Sequence, residues 1–125
     1  MNNHGLAPTR LYHNARCSKS RGALDLLQAR GITPELVHYL ETPPDADELR
    51  WLLGLLGASA RDLLRSSDAI SIELGLDDPT LGDDALIAAM AAHPGLIERP
   101  VFVHRGRAVI GRPPERVLEL LDQDT

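Results

Sequence analysis

The chain has 125 residues, of which 43% are hydrophobic and 25% are charged, and its formal charge is −5. This length and composition predict a single domain over residues 1–125 with its own core. The acidic balance, with only 3% aromatic residues, disfavours a nucleic-acid surface, which needs basic groups and stacking rings. No segment approaches the roughly 18 apolar residues of a membrane span, and residues 1–8 lack a signal-peptide core. We therefore expect a cytoplasmic protein that does not contact membranes.

The first third of the chain has the pattern of a strand, a helix and a second strand. Residues 10–13 predict a short strand, and Ser18 or Ser20 can cap a helix that ends before Gly31. Residues 35–40 then predict another extended segment. A strand, a helix and a strand within about 30 residues are typical of a βαβ unit with parallel strands.

Residues 44–95 predict a block of four helices. The helix boundaries carry residue types that begin and end helices: Asp45 or Asp47 and Gly57 around the first, Ser59 before the second, Gly75 after the third, and Asp83 and Pro94 around the fourth.

The end of the chain returns to strands. Residues 101–110 predict a hairpin with a tight turn at 105–107, and Pro113-Pro114 opens a last helix. We expect Val117, Leu118 and Leu121 to face inward along that helix. The order βαβ, helices, ββα is that of an α/β thioredoxin-like fold with a mixed sheet, in which residues 44–95 are an α-helical insertion.

The only cysteine, Cys17, lies where the first strand gives way to the first helix. Helix N-termini and nearby cations lower a thiol pKa from about 8.5 to roughly 3.5–7.5, which makes Cys17 a candidate nucleophile. Ser20 stands where a thioredoxin-type pair would have its second cysteine, so an external thiol must complete any redox cycle. A single cysteine also excludes an internal disulfide and a thiolate zinc cage.

His13 lies four residues before Cys17. It can act as a general base, orient a hydrogen bond or simply end the strand. The remaining histidines have no paired ligand spacing, so we expect no metal site. Nothing in the sequence demands an oligomer, and we expect a monomer.

The stretch from Leu11 to about Leu121 resembles the arsenate reductases that use glutathione and glutaredoxin. Several ordered blocks carry the resemblance: Tyr12-His13-Asn14 with Cys17 and Ser20-Arg21, and residues 38–44, 60–65, 98–101 and 111–114. The resemblance implies a thioredoxin-like fold with a cis bond between Arg99 and Pro100.

The resemblance also assigns roles to individual residues. It implies that Cys17 is the nucleophile and that Arg61, Arg99 and Arg112 form the oxyanion-binding trio. We place His13 and Ser20 with Cys17 as candidate catalytic residues, and Asn14 and Arg21 with the arginines as candidate substrate-binding residues. Asn14 and Ser20 would hold the loop and bond the sulfur, or act as an ordinary turn residue and cap. Arg65 and Arg105 are assigned to a solvated surface.

The implied activity is reduction of arsenate to arsenite through a cysteinyl-arsenate intermediate. Planar guanidinium groups suit a tetrahedral oxyanion and stay charged at every working pH. The resemblance implies glutathione as a thiol co-substrate, glutaredoxin as a partner and no bound cofactor. Arg16 and Lys19 add two cations beside Cys17, which either strengthen anion capture or dock an acidic partner.

Two other functions fit the same fold. One is a binding module like the Spx-like regulators that contact RNA polymerase, and the other is a glutathione-linked thiol oxidoreductase with a different substrate. Cys17 together with all three candidate arginines favours the enzyme, because a docking surface does not need a converged anion pocket.

Overall fold

The computed structural model describes residues 8–121. The chain divides into two compact units, one made of the residues up to Thr42 and from Arg99 onward, the other of Pro43–Glu98. The predicted helical block over 44–95 falls within the second unit. Most of the segment in which we expect no signal peptide, residues 1–7, lies outside the described residues.

The first unit contains a four-stranded mixed sheet, which confirms the predicted fold class. Its strands, in the spatial order β2-β1-β3-β4, are β1 Thr9–Tyr12, β2 Glu35–Val37, β3 Val101–His104 and β4 Arg107–Ile110. β1 runs parallel to β2 and antiparallel to β3, and β3 runs antiparallel to β4. Helix α1, Ser18–Ala29, supplies the crossover between β1 and β2.

The strand register brings four chain segments to one edge of this sheet. Tyr12 is opposite both Val37 and Val101, and Val101 is opposite Ile110. The residues just beyond these positions, 13, 38, 100 and 111, therefore leave the sheet at the same edge. This edge carries the start of α1 and most of the candidate site.

The core of the first unit lies between the sheet, α1 and a 3₁₀ helix over Pro114–Leu120. Side chains three apart share a face in a 3₁₀ helix, and Val117 and Leu120 are accordingly the buried pair. The prediction that Leu118 and Leu121 face inward like Val117 is only partly right, since both are only half-buried. The shorter turn of the 3₁₀ helix explains this difference.

The second unit contains four α-helices over its described residues, in agreement with the predicted helical block: α2 Ala46–Leu56, α3 Ala60–Leu63, α4 Ala69–Glu73 and α5 Asp83–Ala92. Asp45 caps α2 by accepting from the backbone N–H of Glu48 at 2.8 Å, and Gly57 ends it with φ 64°. Ser59 and Asp62 form a reciprocal capping box on α3. Local capping chemistry therefore fixes these boundaries.

Two sheet elements differ from prediction. β2 ends at Val37 rather than residue 40, because the His38 carbonyl accepts from the backbone N–H groups of Glu41 and Thr42 and turns the chain. The β3–β4 turn is shorter than expected, with Arg105 and Gly106 at φ 52° and 80°. Two consecutive left-handed residues match the twist of a two-residue hairpin.

Among the described residues, no helix is long and apolar enough to cross a membrane.

Candidate active site

The loop between β1 and α1 is organised by Asn14. Its backbone N–H donates to Ser20 Oγ at 3.3 Å, and its carbonyl accepts from the Cys17 N–H at 2.9 Å. Its side-chain Oδ1 accepts from the Arg16 N–H at 3.0 Å. These three bonds shape the loop, and the two roles predicted for Asn14, toward the sulfur or as an ordinary turn residue, both stay predictions.

Ser20 and Arg21 also support the loop. Ser20 is fully buried, and its hydroxyl accepts from Asn14 and does not bond the sulfur. The Arg21 guanidinium donates to the Ala15 carbonyl at 2.9 Å. Their predicted roles toward substrate stay predictions, but both side chains shape the turn that carries Cys17.

Cys17 is the N-cap residue of α1, immediately before Ser18, and it is partly exposed. Burial raises the pKa of its thiol, but the backbone N–H groups of Ser20 and Lys19 and the Arg99 guanidinium oppose burial, so the pKa lies below its ordinary value. Because the thiolate is the nucleophilic form of cysteine, this environment suits Cys17 for nucleophilic chemistry.

Arg99 comes from the segment entering β3. Its Nε is buried and has no hydrogen-bond partner among the residues the structure describes. The Arg99–Pro100 bond is cis, as the family resemblance implied, and the Arg112–Pro113 bond is cis as well. A guanidinium beside Cys17 with a donor still unused can bind an oxyanion next to the sulfur.

Arg112 follows β4, and its guanidinium donates to the Arg99 carbonyl at 3.3 Å. The register therefore brings two of the three predicted arginines together at the sheet edge. Between β4 and Arg112 lies Gly111, whose N–H donates to the Pro100 carbonyl at 2.8 Å. A Cβ at Gly111 would stand only 2.9 Å from Pro100 Cγ, so this contact requires glycine.

His13 is only 4% exposed, and its Nδ1 has no hydrogen-bond partner within residues 8–121. Burial lowers its pKa, with smaller contributions from His38 and Arg21. No hydrogen bond joins His13 to Cys17 among those residues. Of its three predicted roles, the structure gives no direct support to that of general base for the thiol.

Sequence reasoning missed His38, whose ring meets that of His13 edge-on with centroids 6.0 Å apart. The signal was present in the predicted parallel pairing of the first two strands. Because parallel strands end at the same edge, the residues following β1 and β2 come together there.

The third predicted arginine, Arg61, lies on α3 in the second unit. Its guanidinium donates to the carbonyls of Leu76 and Asp78 at 3.0 and 2.9 Å. These bonds hold the loop after α4, and the role of Arg61 in anion binding stays a prediction.

The assignment of Arg65 to a solvated surface is only partly right. Its side chain is 27% exposed and pairs with Asp68 at 3.5 Å and with Glu98 at 3.6 Å. The Arg65 N–H also donates to the Leu96 carbonyl at 2.7 Å. Arg65 is therefore a structural residue of the second unit.

Among residues 8–121 no group of three or more His, Cys, Asp or Glu side chains could hold a metal ion. The candidate site is thus built from a lone sulfur, guanidinium groups, backbone N–H groups and two imidazoles.

The fold and the site together define a thioredoxin-like protein with one low-pKa cysteine at the beginning of a helix. The chain belongs to the ArsC family, whose sequence profile matches residues 12–120. It is 51% identical to the arsenate reductase of Neisseria meningitidis serogroup B over 90% of this chain and 97% of that one. It is 54% identical to the Escherichia coli K12 protein YfgD over 90% of this chain and 95% of that one.

Among solved structures, the chain is similar to the arsenate reductase of Vibrio cholerae. The TM-score is 0.87 at 50% sequence identity, and the similarity covers 91% of this chain and 98% of that one.

Proposed function

We propose that this protein reduces arsenate to arsenite with the help of external thiols. Membership of the ArsC family supports the proposal. So do relatives named arsenate reductase, which this chain matches over almost the whole of their length.

The observation that carries the proposal is the pairing of Cys17 with Arg99. The same guanidinium that lowers the pKa of the Cys17 thiol keeps a buried Nε without a partner among the described residues. A positive group shared by a nucleophile and an incoming anion offsets the repulsion between those two negative species. Arsenate bound by Arg99 would present its arsenic atom to the sulfur.

In the proposed first step the Cys17 thiolate attacks arsenic(V). A sulfur–arsenic bond forms, and an arsenic–oxygen bond breaks to release hydroxide, which leaves as water after protonation. Arg99 and Arg112 would stabilise the charge on the remaining oxygens.

The later steps need thiols from outside the chain, because Cys17 is its only cysteine. Glutathione forms a second sulfur–arsenic bond while another arsenic–oxygen bond breaks and a second water leaves. A glutaredoxin thiolate then attacks the glutathione sulfur, so that a disulfide forms between them, the glutathione–arsenic bond breaks, and its electron pair stays on arsenic as arsenic(III). Water finally cleaves the Cys17–arsenic bond, which releases arsenous acid and restores the Cys17 thiol. The sum converts arsenic acid and two thiols into arsenous acid, one disulfide and one water. Reduced thiols of this kind persist in a reducing compartment, which agrees with the expected cytoplasmic location.

A coupled assay tests the proposal. Reduced protein is mixed with arsenate, glutathione, glutaredoxin, glutathione reductase and NADPH, and NADPH oxidation is followed. We expect turnover that depends on arsenate and disappears in Cys17→Ser. Turnover that is absent in the unaltered protein, or undiminished in Cys17→Ser, would contradict the proposal.

A further inference from the structure

A cavity of about 300 Å³ lies in the first unit beside the loop that precedes Cys17. One wall is formed by residues 13–16, the four residues that immediately precede Cys17, and the other by His38, Leu40 and Glu41. Small-molecule sites begin at roughly this volume. The cavity is therefore large enough for a group the size of an amino acid.

The segments that carry Arg99 and Arg112 lie on the opposite side of β1 from the cavity-lining segment that follows β2. The strand order places β2 on one side of β1 and β3 on the other. His38 and Glu41 follow β2, whereas Arg99 precedes β3 and Arg112 follows β4. The oxyanion site and the cavity can therefore be occupied at the same time, with the Cys17 loop between them.

Two opposite charges line this cavity without neutralising each other. Arg16 and Glu41 are both exposed, and neither forms an ion pair with any residue in the described part of the chain. Elsewhere in the first unit, Arg10 pairs with Glu35 at 3.3 Å. A cavity that offers one unpaired cation and one unpaired anion is complementary to a ligand carrying both charges.

A buried polar side chain also borders the cavity. His13 is one of its lining residues, and its Nδ1 lacks a hydrogen-bond partner within residues 8–121 although the side chain is almost fully buried. A buried polar atom without a partner is unfavourable unless a ligand or water supplies one. The unpartnered His13 Nδ1 therefore favours a ligand that places a polar group within hydrogen-bond distance of it.

We infer that this cavity binds a small thiol with an α-ammonium and an α-carboxylate group, as found at the γ-glutamyl end of glutathione and in free cysteine. The carboxylate pairs with Arg16, and the ammonium pairs with Glu41. The ligand's sulfur then approaches the Cys17 loop from the side of β1 opposite the segments that carry Arg99 and Arg112. The inference rests on the proposed function, since it names where that function's thiol binds.

Binding can be measured apart from turnover by using S-methylglutathione, which cannot react. Amide NMR spectra of the reduced protein are recorded while S-methylglutathione or S-methylcysteine is added. We expect saturable shifts at residues 13–16 and 38–41, and the two probes separate the tripeptide from free cysteine as the source. No saturable shift with either probe, or shifts confined to the Arg99 and Arg112 segments, would overturn the inference.

Two variants test the charge pairing. Arg16→Gln and Glu41→Gln should each weaken binding about fivefold, as expected for one exposed ion pair. The matched control Arg30→Gln removes an exposed cation at the far end of α1 and should leave binding unchanged. Equal affinity in all four proteins would refute the assigned contacts, and unchanged amide shifts elsewhere would show that the variants are folded.

A desamino form of S-methylglutathione sharpens the Glu41 contact. It should bind the unaltered protein about as weakly as S-methylglutathione binds Glu41→Gln, and combining the two changes should add little further loss. Fully additive losses would contradict an ammonium–Glu41 contact.

The coupled assay separates this inference from the proposed function. If Arg16→Gln and Glu41→Gln reduce arsenate as well as the unaltered protein at limiting glutathione, the inference fails while the proposed function stands. If S-methylglutathione binds as predicted but arsenate is never reduced, the proposed function fails while the cavity remains a thiol-ligand site.

Discussion

Helices α1 and α2 begin with different chemistry, although both place a negative group at a helix N-terminus. The N-cap of α2 is Asp45, whose carboxylate accepts from the Glu48 N–H, and the first turn of α2 adds Asp47 and Glu48. The N-cap of α1 is Cys17, whose side chain makes no such cap bond, and the first turn of α1 contains no acidic residue. The α2 arrangement complements the helix dipole and stabilises the fold.

At α1, the backbone N–H groups of Ser20 and Lys19 and the Arg99 guanidinium all favour the thiolate form of Cys17 and lower its pKa. The free N–H groups at the N-terminus of α2 bind a capping carboxylate and so stabilise the helix. The corresponding N–H groups of α1 stabilise the Cys17 thiolate. Changes at α1 should mainly affect chemistry, and changes at α2 should mainly affect stability.

The largest effect is expected from Cys17→Ser. A serine hydroxyl can still cap α1 but is not ionised near neutral pH, so arsenate turnover should fall by more than about a thousandfold. The free energy of unfolding should change little, as measured by urea denaturation.

The matched change at α2 is Asp45→Ala. It should lower the free energy of unfolding by about 1 kcal/mol and leave turnover intact. If Asp45→Ala abolished turnover, or if Cys17→Ser unfolded the protein, the contrast between the two helix beginnings would be lost.

Arg99→Ala removes the side chain that the thiolate and the proposed anion share. Loss of one oxyanion donor typically lowers kcat by about a hundredfold to a thousandfold, and we expect a loss in this range for arsenate. Steady-state kinetics with varied arsenate would measure it. Arg30→Ala, an exposed position at the end of α1, is the control, and an equal loss in both variants would argue against the anion role.

Gly111→Ala should disturb the segment that supports Arg99. The new Cβ would lie 2.9 Å from Pro100 Cγ and 3.0 Å from Val117 Cγ1. Overpacking of this kind lowers the free energy of unfolding by about 1–3 kcal/mol.

Gly54→Ala in α2 is the matched control, since a Cβ there meets nothing within 4 Å. Replacing a helical glycine should stabilise the protein by about 0.5–1 kcal/mol. Urea denaturation of both variants compares the two units, and destabilisation of equal size would contradict the close packing assigned to Gly111.

A smaller effect is expected from the pH dependence of stability. Burial lowers the pKa of His13 below 6.5, so the unfolded chain takes up this proton at a higher pH than the folded protein does. The contribution of neutral His13 is therefore complete above pH 6.5 and is lost as the pH falls through the folded pKa.

The free energy of unfolding should thus decrease between pH 7 and pH 5, and His13→Gln should show a shallower decrease. His93→Gln changes an exposed histidine of the second unit and serves as control. An identical slope in the unaltered protein and His13→Gln would refute this account.

The helix boundaries were largely predictable because their determinants are local. Asp45, Gly57 and Ser59 act within one turn of their own positions, and all three lie at the predicted helix ends. The end of β2 was not predictable in this way, because extended-looking residues turn when the His38 carbonyl captures two backbone N–H groups. The 3₁₀ character of the last helix was likewise missed.

The candidate site was less accessible to sequence reasoning because its partners are distant along the chain. The turn before α1 suggested Cys17, but only the family resemblance selected Arg99 and Arg112 among 13 basic residues. The contacts of Arg61 with carbonyls 15 and 17 residues later also depend on the tertiary fold. The cavity beside His13 requires knowing that β1 and β2 end together.

The most direct measurement is the rate of Cys17 alkylation by iodoacetamide as a function of pH. The rate follows the thiolate fraction, so its midpoint reports the thiol pKa. The account predicts a midpoint below the ordinary value of about 8.5 in the unaltered protein, and a higher midpoint in Arg99→Ala. A midpoint at or above about 8.5 with Arg99 in place would contradict the account.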